Sequence, residues 1–135
     1  EQSDNIKKSK YAYYTAAASA LVGSYSNARS YALKALNFRK NWGDPYILIG
    51  KLYAQTASKC GNDPASKKAG YWAAIDKFKR AKSIDKSSEK EANKLISEYN
   101  KRVPTKSLWR DNIANPDSKT YKISCWYSET VNVRF

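Results

Sequence analysis

Histidine and methionine are absent from this chain of 135 residues, and cysteine occurs only twice. Because histidine is the commonest general base and metal ligand in proteins, its absence removes several kinds of active site. Serine–histidine and cysteine–histidine nucleophile systems are excluded, and so are zinc sites that contain histidine. Two cysteines alone do not complete a zinc site made of protein ligands. We therefore expect no metal and no cofactor in this chain.

The sequence also lacks long apolar runs and the usual signatures of catalysis. No apolar run approaches the roughly 20 residues that a membrane-spanning helix needs. Paired acids at catalytic spacing, a glycine-rich phosphate loop and a nucleophile elbow are all missing. Asp44, Asp63 and Asp85 each stand where a helix is predicted to begin. We therefore predict that the protein is not an enzyme and has no catalytic residues.

Acidic residues are scarce relative to basic ones, since 12 Asp and Glu stand against 25 Lys and Arg and the net charge is +13. A charge of this sign favours acidic partners such as nucleic acid, an anionic glycan or a membrane surface. The simpler interpretation is a solvated surface on which lysine stems cover apolar area. The alternative is an anion-binding face on one predicted helix, together with a basic N-terminal group. The face would comprise Lys77, Lys79, Lys82 and Lys86, and the group Lys7, Lys8 and Lys10.

The clearest helical pattern of the chain begins at Asp44. Asp44 is predicted to cap the helix, and Pro45 fits the first helical position, where no N–H group is needed. Four following residues recur at i, i+3, i+4 and i+7, which places them on one face. An aromatic, an aliphatic, a glycine and a second aromatic at these offsets are typical of the first helix of a tetratricopeptide repeat. These residues are Tyr46, Ile49, Gly50 and Tyr53.

The 34-residue period of such repeats places the start of a preceding repeat at Ser9. Its first helix would cover residues 9–22, and residues 1–8 are predicted to be frayed. Gly23 ends that helix, and Ser26 is predicted to cap the second one. The second helix carries mostly small residues on one face, where paired helices must approach closely. These residues are Ala28, Ala32, Ala35 and Phe38.

The second repeat is longer than the standard one. Its first helix is predicted to continue to about residue 59, and Gly61 is suited to a turn with positive φ. Asp63 and Pro64 then repeat the signal of a cap followed by proline. The small and aromatic residues of its second helix come about a dozen residues later than a standard repeat allows. We attribute the excess to longer helices, and a flexible insert is the alternative. The residues are Ala74, Phe78 and Ala81.

A third helical element follows the second repeat. Ser88 and Glu91 are predicted to form a capping box at its start. In a solenoid, such a helix covers the exposed end of the last repeat. Thr105 is predicted to cap one short turn after it. The apolar stripe of this covering helix comprises Ala92, Leu95, Ile96 and Tyr99.

The end of the chain changes from helical to strand-like patterning. Residues 121–127 and 131–135 alternate with period two, which predicts a β-hairpin with residues 128–130 as its loop. Because a lone hairpin is marginally stable in water, it is expected to pack against the helices. We predict that it lies at the end of the helical array near Trp109 and replaces the missing partner of the covering helix.

Two groups of residues resemble a known family. The first is Asp44-Pro45-Tyr46, Lys59-Cys60-Gly61, Tyr71-Trp72-Ala73-Ala74 and Ala81-Lys82. The second is Pro104-Thr105 and the tail Tyr121-Lys122-Ile123-Ser124-Cys125-Trp126-Tyr127. Over residues 31–134 the chain resembles the C-terminal part of exported tetratricopeptide-repeat proteins of Bacteroidetes-type bacteria. It departs from the usual repeat at Lys86, where a proline commonly closes the second helix.

The patterns and the resemblance together predict a mainly α fold. The expected architecture is a tetratricopeptide-repeat α-solenoid of two helical hairpins and a covering helix, with a C-terminal β-hairpin. Residues 1–8 would be the frayed segment, residues 9–103 the repeat domain, and residues 104–135 a short helix and the hairpin packed on that domain. Since the chain starts with Glu and lacks Met, we expect a piece of a longer protein or a mature form without its leader.

The resemblance implies a non-enzymatic scaffold or adaptor of the cell envelope, exported or periplasmic. In such arrays the first helices line a concave groove, so we predict a protein or peptide partner there. Lysine in the groove favours an acidic ligand or a free carboxylate. Any membrane-surface association would come through the parent protein. The predicted groove residues are Tyr13, Ala17, Leu21, Ile47, Lys51, Ala54, Gln55, Asn93 and Ser97.

A basic surface-binding module for nucleic acid or an anionic envelope polymer is the alternative function. Nucleic acid is not favoured, because most of the aromatic residues that could stack on bases sit at core spacing. The two cysteines, Cys60 and Cys125, are either buried free thiols or a disulfide. The resemblance favours the disulfide, because it points to an oxidising compartment. A bond that closes so long a loop would stabilise the fold by about 4 kcal/mol on the chain-entropy model.

Overall fold

The computed structural model describes residues 2–135, which form six α-helices and one two-stranded antiparallel sheet. This confirms the mainly α class and the C-terminal β-hairpin. The tetratricopeptide-repeat solenoid stays a prediction. In chain order the helices are α1 Gln2–Leu21, α2 Tyr25–Phe38, α3 Asp44–Thr56, α4 Ser66–Ile84, α5 Glu89–Asn100 and α6 Lys106–Asn112. The strands are β1 Thr120–Ser124 and β2 Ser128–Asn132.

The helices pack as antiparallel neighbours, α1 against α2 and α3 against α4, and α5 then packs on α4. The contact between α1 and α2 depends on small residues, since Ala16, Ala28 and Ala32 are completely buried. Interiors are close-packed, so a larger side chain at these positions would push the two helices apart. The alanine pattern of the sequence therefore identifies the contact face correctly.

Gly50 is the point of closest approach between α3 and α4. A Cβ atom built at Gly50 would lie 2.5 Å from Cε1 of Phe78, a ring on α4 that is completely buried. The helix accepts the cost of glycine, about 1 kcal/mol relative to alanine, because the aromatic ring occupies the space of the missing side chain. The predicted close approach at Gly50 is confirmed.

Two predicted helix caps are wrong. Asp44 lies inside the first turn of α3, whose N-cap is Gly43 without a side-chain hydrogen bond. The N–H group of Gly43 instead donates to Oδ2 of Asp85 at 2.8 Å, so a distant carboxylate supplies the acceptor. Ser26 lies within α2, and its hydroxyl donates to the carbonyl oxygen of Trp126 at 3.4 Å. In both cases a tertiary contact replaces the local one.

The predicted capping box of Ser88 and Glu91 is also wrong. Ser88 makes no side-chain cap at the start of α5. The carboxylate of Asp85 caps a preceding 3-10 turn, because its Oδ1 accepts from the N–H group of Ser87 at 3.1 Å. The predicted cap at Thr105 is correct, since its Oγ1 accepts from Leu108 N–H at 3.2 Å. Asp63 is not the cap of α4, whose N-cap is Ala65, but its Oδ1 accepts from the N–H groups of Ala65 and Ser66 at the start of that helix.

Two predictions about backbone order are wrong as well. Residues 2–8 belong to α1 rather than to a frayed segment, and Glu1 lies outside the described residues. Gly61 does not have a positive φ, whereas Gly23 has a φ of 77° between α1 and α2. The extra length of the predicted second repeat is mainly helical, as expected. A 3-10 turn, Ala57–Lys59, extends α3, and residues 66–70 are the first residues of α4.

The hairpin is present, but its loop lies three residues earlier than predicted. The strands pair Tyr121 with Val131 and Ile123 with Glu129, so the turn consists of residues 125–127. Within the turn, the N–H group of Cys125 donates to the carbonyl oxygen of Tyr127 at 2.9 Å. The polar run 128–130 looks like a loop in the sequence, yet it forms most of β2 because Glu129 has buried partners on the helices, described below.

The hairpin packs on the helices near Trp109, as predicted. Ile123 and Val131 are 2% exposed, and Trp109 meets Tyr121 with ring centroids 4.9 Å apart. Trp109 also packs edge-on against Trp72 of α4 at 5.0 Å. The hairpin therefore lies along α4, with β2 in direct contact with that helix. The main helix contact of the hairpin is with α4 and not with α5, which differs from the prediction that the hairpin replaces the missing partner of the covering helix.

Candidate partner-binding groove

Three of the predicted groove residues line one small recess. Tyr13 from α1 and Ile47 and Lys51 from α3 surround a cavity of about 120 Å³. Glu91 from α5 completes it, so α1, α3 and α5 all contribute. The ring of Tyr13 is held against Trp42 with centroids 5.0 Å apart. The remaining lining residues are Asp44 and Leu48.

A second recess continues the first along the contact between α1 and α3. Its volume is about 430 Å³, and Lys51 and Leu48 border both recesses. Leu21 is 89% exposed at one end, so apolar surface faces solvent here. Together the two recesses form a shallow groove, which we call the α1–α3 groove. The second recess is lined by Ala17, Ala20, Leu21, Leu48, Lys51, Leu52 and Gln55.

Three predicted groove residues do not face the groove. Ala54 is buried, with 6% of its surface exposed. Asn93 accepts a hydrogen bond from Nζ of Lys82 at 2.7 Å, which places it on the α4 side of α5. Ser97 is exposed and lines neither recess. Residues 91 and 93 lie about 200° apart around a helix, so the core stripe of α5 separates Glu91 from Asn93.

Charge in the small recess differs from the expectation based on Lys51 alone. Lys51 Nζ lies 3.0 Å from Oε2 of Glu91, and both side chains are about half exposed, at 47% and 52%. Burial raises the pKa of Asp44, the Trp42 side chain lowers it by a hydrogen bond, and the charges of Asp85 and Glu91 raise it further. The ammonium group of Lys51 is thus already paired with Glu91. Asp44 adds a second carboxylate to the lining of the recess, and the charge of Arg39, which lies outside that lining, lowers the pKa of Asp44.

The predicted anion-binding face is not continuous in the structure. Lys77 Nζ forms an ion pair with Oε2 of Glu129 at 2.9 Å, and Lys82 donates to Asn93. Lys79 and Lys86 are exposed. Because Lys77 turns toward the hairpin and Lys82 toward α5, the four lysines do not present one surface to a ligand.

A partly buried polar cluster around Glu129 was not predicted from the sequence. The hydroxyl of Tyr53 donates to Oε2 of Glu129 at 2.8 Å and accepts from Nε of Arg29 at 2.7 Å. Lys77 and Arg29 add ion pairs with the same carboxylate, at 2.9 Å and 3.7 Å. The cluster thus joins α2, α3, α4 and β2. The one sequence signal for this cluster is an acidic residue, Glu129, next to the apolar alternation of the final strand.

Electrostatics in this cluster favour the ionised carboxylate. Burial raises the pKa of Glu129, but hydrogen bonds from Lys77 and Tyr53 and the charges of Lys77 and Arg29 outweigh it, so the net pKa is below 4.5. Burial also raises the pKa of Tyr53 far above 10, which keeps its hydroxyl protonated and able to donate. The cluster therefore has one acceptor group and several fixed donors at neutral pH.

Replacement of Glu129 by alanine is expected to reduce the free energy of unfolding by about 2 kcal/mol at pH 7. The variant leaves Lys77 and Arg29 partly buried without their carboxylate, and their exposure of 23–30% lowers the cost below that of a fully buried pair. Because the folded pKa is depressed, the contribution is present above the unfolded pKa and is lost as the pH falls through the folded pKa.

Urea unfolding of wild type and Glu129→Ala between pH 7 and pH 2 measures both effects. The difference between the two proteins should shrink as the solution becomes acidic. Glu98→Ala is the matched control, since Glu98 is an exposed acid on α5. Equal losses in the two variants, or a Glu129 effect that grows in acid, would contradict the assignment.

The two cysteines form a disulfide, as predicted. Cys60 follows the 3-10 turn after α3, Cys125 begins the hairpin turn, and their Cα atoms are 5.3 Å apart. Neighbouring contacts hold the turn in the same place. Trp126 Nε1 donates to Oγ1 of Thr56 at 2.9 Å, and the ring of Tyr127 stacks on that of Tyr53 with centroids 3.8 Å apart.

Residues 2–135 contain no group of three or more histidine, cysteine or acidic side chains arranged to hold a metal ion. No helix in the same range is long and apolar enough to cross a membrane. Comparisons of the chain with protein-family models, curated proteins and solved structures each find no match. The α1–α3 groove is therefore the candidate binding site of this chain.

Proposed function

We propose that this chain is a non-enzymatic protein–protein interaction module that binds a peptide segment of a partner in the α1–α3 groove. One observation carries the proposal. Side chains from α1, α3 and α5, namely Tyr13, Lys51 and Glu91, converge on one recess, and a second recess with exposed apolar surface adjoins it. Concave surface of this kind, apolar with a few convergent polar groups, is what small binding sites share.

The charge of the recess favours a ligand with a basic group. Glu91 already offsets Lys51, so the carboxylate of Asp44 is the charge that remains to be matched. A lysine or arginine side chain beside Asp44 and the ring of Tyr13 would gain both an ion pair and a cation–π contact. The proposal therefore replaces the acidic ligand expected from Lys51 alone with a basic one.

The architecture and location belong to the same proposal. We infer a tetratricopeptide-repeat scaffold, since helices pair through small residues and a glycine at the spacing of that repeat. We also infer export to an oxidising compartment such as the periplasm or cell envelope. A disulfide between Cys60 and Cys125 supports this, because disulfides persist where thiols are not kept reduced.

Selection of peptides from a random displayed library on the wild-type protein tests the groove. We expect the selected peptides to be enriched in lysine and arginine. Tyr13→Ala combined with Glu91→Gln should weaken their binding by about tenfold or more, because it removes the ring contact and leaves the charge of Lys51 unpaired beside the basic ligand. Lys51→Glu, which adds negative charge to the recess, should leave the binding of basic peptides intact or stronger.

The matched control is Tyr14→Ala combined with Glu98→Gln, which changes the same residue types on the same two helices. Tyr14 is 67% exposed, and neither Tyr14 nor Glu98 lines the groove. Binding should change less than twofold in this control. Selected peptides that keep their affinity for the Tyr13 and Glu91 variant would refute the groove, and enrichment of acidic peptides would refute the charge assignment.

A further inference from the structure

A second concave surface, distinct from the α1–α3 groove, lies where the start of α4 meets the chain just after α5. Its volume is about 430 Å³. Its polar lining is almost entirely cationic, since two lysines come from α4 and a lysine and an arginine from the residues after α5. We call it the basic recess. It is lined by Ser58, Pro64, Lys67, Lys68, Tyr71, Lys101 and Arg102.

No carboxylate lines the basic recess, and among residues 2–135 none of its four cationic side chains lies within 4.0 Å of a carboxylate in an ion pair. Asp63 is near Lys67, but its oxygens accept from Ala65 N–H, Ser66 N–H and the Ser66 hydroxyl. Four like charges in one concavity concentrate positive potential there. The recess is therefore a positively charged site that can bind an external anion, because no carboxylate of the chain lines it.

The rest of the recess offers ordered apolar surface. Tyr71 is half buried, and its ring stacks on Tyr99 with centroids 5.8 Å apart and planes 14° apart. The guanidinium group of Arg102 lies 5.5 Å from the centroid of that same Tyr99 ring. These contacts hold Tyr71 and Arg102 in place, so less side-chain freedom is lost when a ligand binds.

We propose that the basic recess binds a sulfated or phosphorylated saccharide. The anionic ester groups would lie among Lys67, Lys68, Lys101 and Arg102, where arginine offers a planar pair of donors and lysine a point charge. The rings of Tyr71 and Pro64 would contact the apolar face of a sugar. A recess of several hundred Å³ accommodates a ligand of one to a few sugar units.

Two other anionic partners fit the recess less well. A membrane surface would need exposed apolar side chains to enter the lipid, and the exposed large apolar residues lie elsewhere, on α1, α2, the turn between them and the C-terminus. Single-stranded nucleic acid needs free aromatic faces along a basic track. Here a single aromatic ring, that of Tyr71, lines the recess, and one ring does not form a track for successive bases.

Sequence inspection does not find this site, because its cations come from two segments about thirty residues apart. Lys67 and Lys68 precede the lysine-rich part of α4, and Lys101 and Arg102 follow the covering helix. Only the packing of α5 on α4 brings them together. The basic recess shares no lining residue with the α1–α3 groove, so binding at one site can be refuted without affecting the other.

Titration of the full chain with a heparin-derived octasaccharide at low and physiological salt tests the proposal. The recess variant replaces Lys67, Lys68, Lys101 and Arg102 by glutamine. The control variant replaces Lys79, Lys86, Lys90 and Lys94, four exposed lysines outside the recess, so both variants lose the same charge. The recess variant should bind about tenfold more weakly or worse, and the control should stay within threefold of wild type.

Tyr71→Leu is a further variant that keeps all four charges and should also weaken binding. Unchanged melting temperatures in each variant show that the fold is kept. The proposal is overturned if the two charge variants lose affinity equally, or if wild type fails to bind the octasaccharide at low salt. It is also overturned if a twelve-nucleotide single-stranded DNA or vesicles of phosphatidylglycerol bind more tightly than the octasaccharide with the same dependence on the recess.

Discussion

Truncation of the chain after Thr105 should abolish the cooperative unfolding transition of the remaining helices. The truncation removes Trp109, Ile123, Tyr127 and Val131, each of which is at least 95% buried. Loss of a single buried aromatic commonly costs about 3–5 kcal/mol, and a domain of this size has about 5–15 kcal/mol in total. The losses together therefore exceed the stability that is available.

Thermal melts followed by far- and near-ultraviolet circular dichroism, together with binding of a hydrophobic dye, measure this effect. The truncated chain should retain helical signal, lose its sharp transition and bind the dye, as expanded states do. The full chain with Asp117→Ala and Lys119→Ala serves as the control, because both residues are exposed in the connection before β1. A truncated chain that melts like wild type would show that the hairpin does not close the core.

Replacement of both cysteines by alanine is the second large effect, and it should lower the free energy of unfolding by about 4 kcal/mol. The bond joins residues that are 65 apart in sequence, so it removes much of the freedom of the unfolded chain. At this chain length the loss corresponds to a fall of about 10–15 °C in melting temperature. The folded structure should change little, because Trp126 and Tyr127 keep the turn on α3.

Reductant provides an internal control for the cysteine variant. Wild type in reductant should melt like the Cys60→Ala and Cys125→Ala protein, and the variant itself should not respond to reductant. Mass spectrometry of the oxidised chain should give a mass lower by two hydrogens than that of the reduced chain. Two freely alkylated thiols in protein prepared from an oxidising compartment would be inconsistent with the bond.

Much of the helical core could be predicted because its determinants are local. The face of α3 that contains Gly50 and Tyr53 follows from spacing alone, and so do the buried alanines of α2. Helix period and residue size decide these contacts, and both are visible within a few turns of sequence. The same is true of Thr105, whose cap depends on a partner three residues away.

Two of the errors share one physical cause, which is competition from distant partners. Asp44 looks like a cap, but Asp85 supplies the acceptor for Gly43 from 42 residues away. The hairpin loop was misplaced because the polar Glu129 looks solvated until Arg29 and Lys77 are brought beside it. In each case the local preference is worth about 1 kcal/mol, which a tertiary hydrogen bond or ion pair can exceed.

Prediction of the candidate groove is limited in the same way, because tertiary packing decides which residues of α5 line it. The apolar stripe of α5 correctly predicts which face is buried, but it does not tell which flank meets α3 and which meets α4. The prediction therefore places Asn93 in the groove, whereas the structure places Glu91 there, beside Lys51. The proposed ligand would contact that flank, so its class could not be predicted from the sequence alone.

The cluster around Glu129 also constrains how this sequence can diverge. One carboxylate is shared by Arg29, Tyr53 and Lys77, so a neutral residue at position 129 leaves two cations and a phenol without an acceptor. Descendants that lose the acid would survive best if both basic positions became neutral and the phenol became phenylalanine. These four positions, far apart in the chain, are thus expected to change together among homologues rather than one at a time.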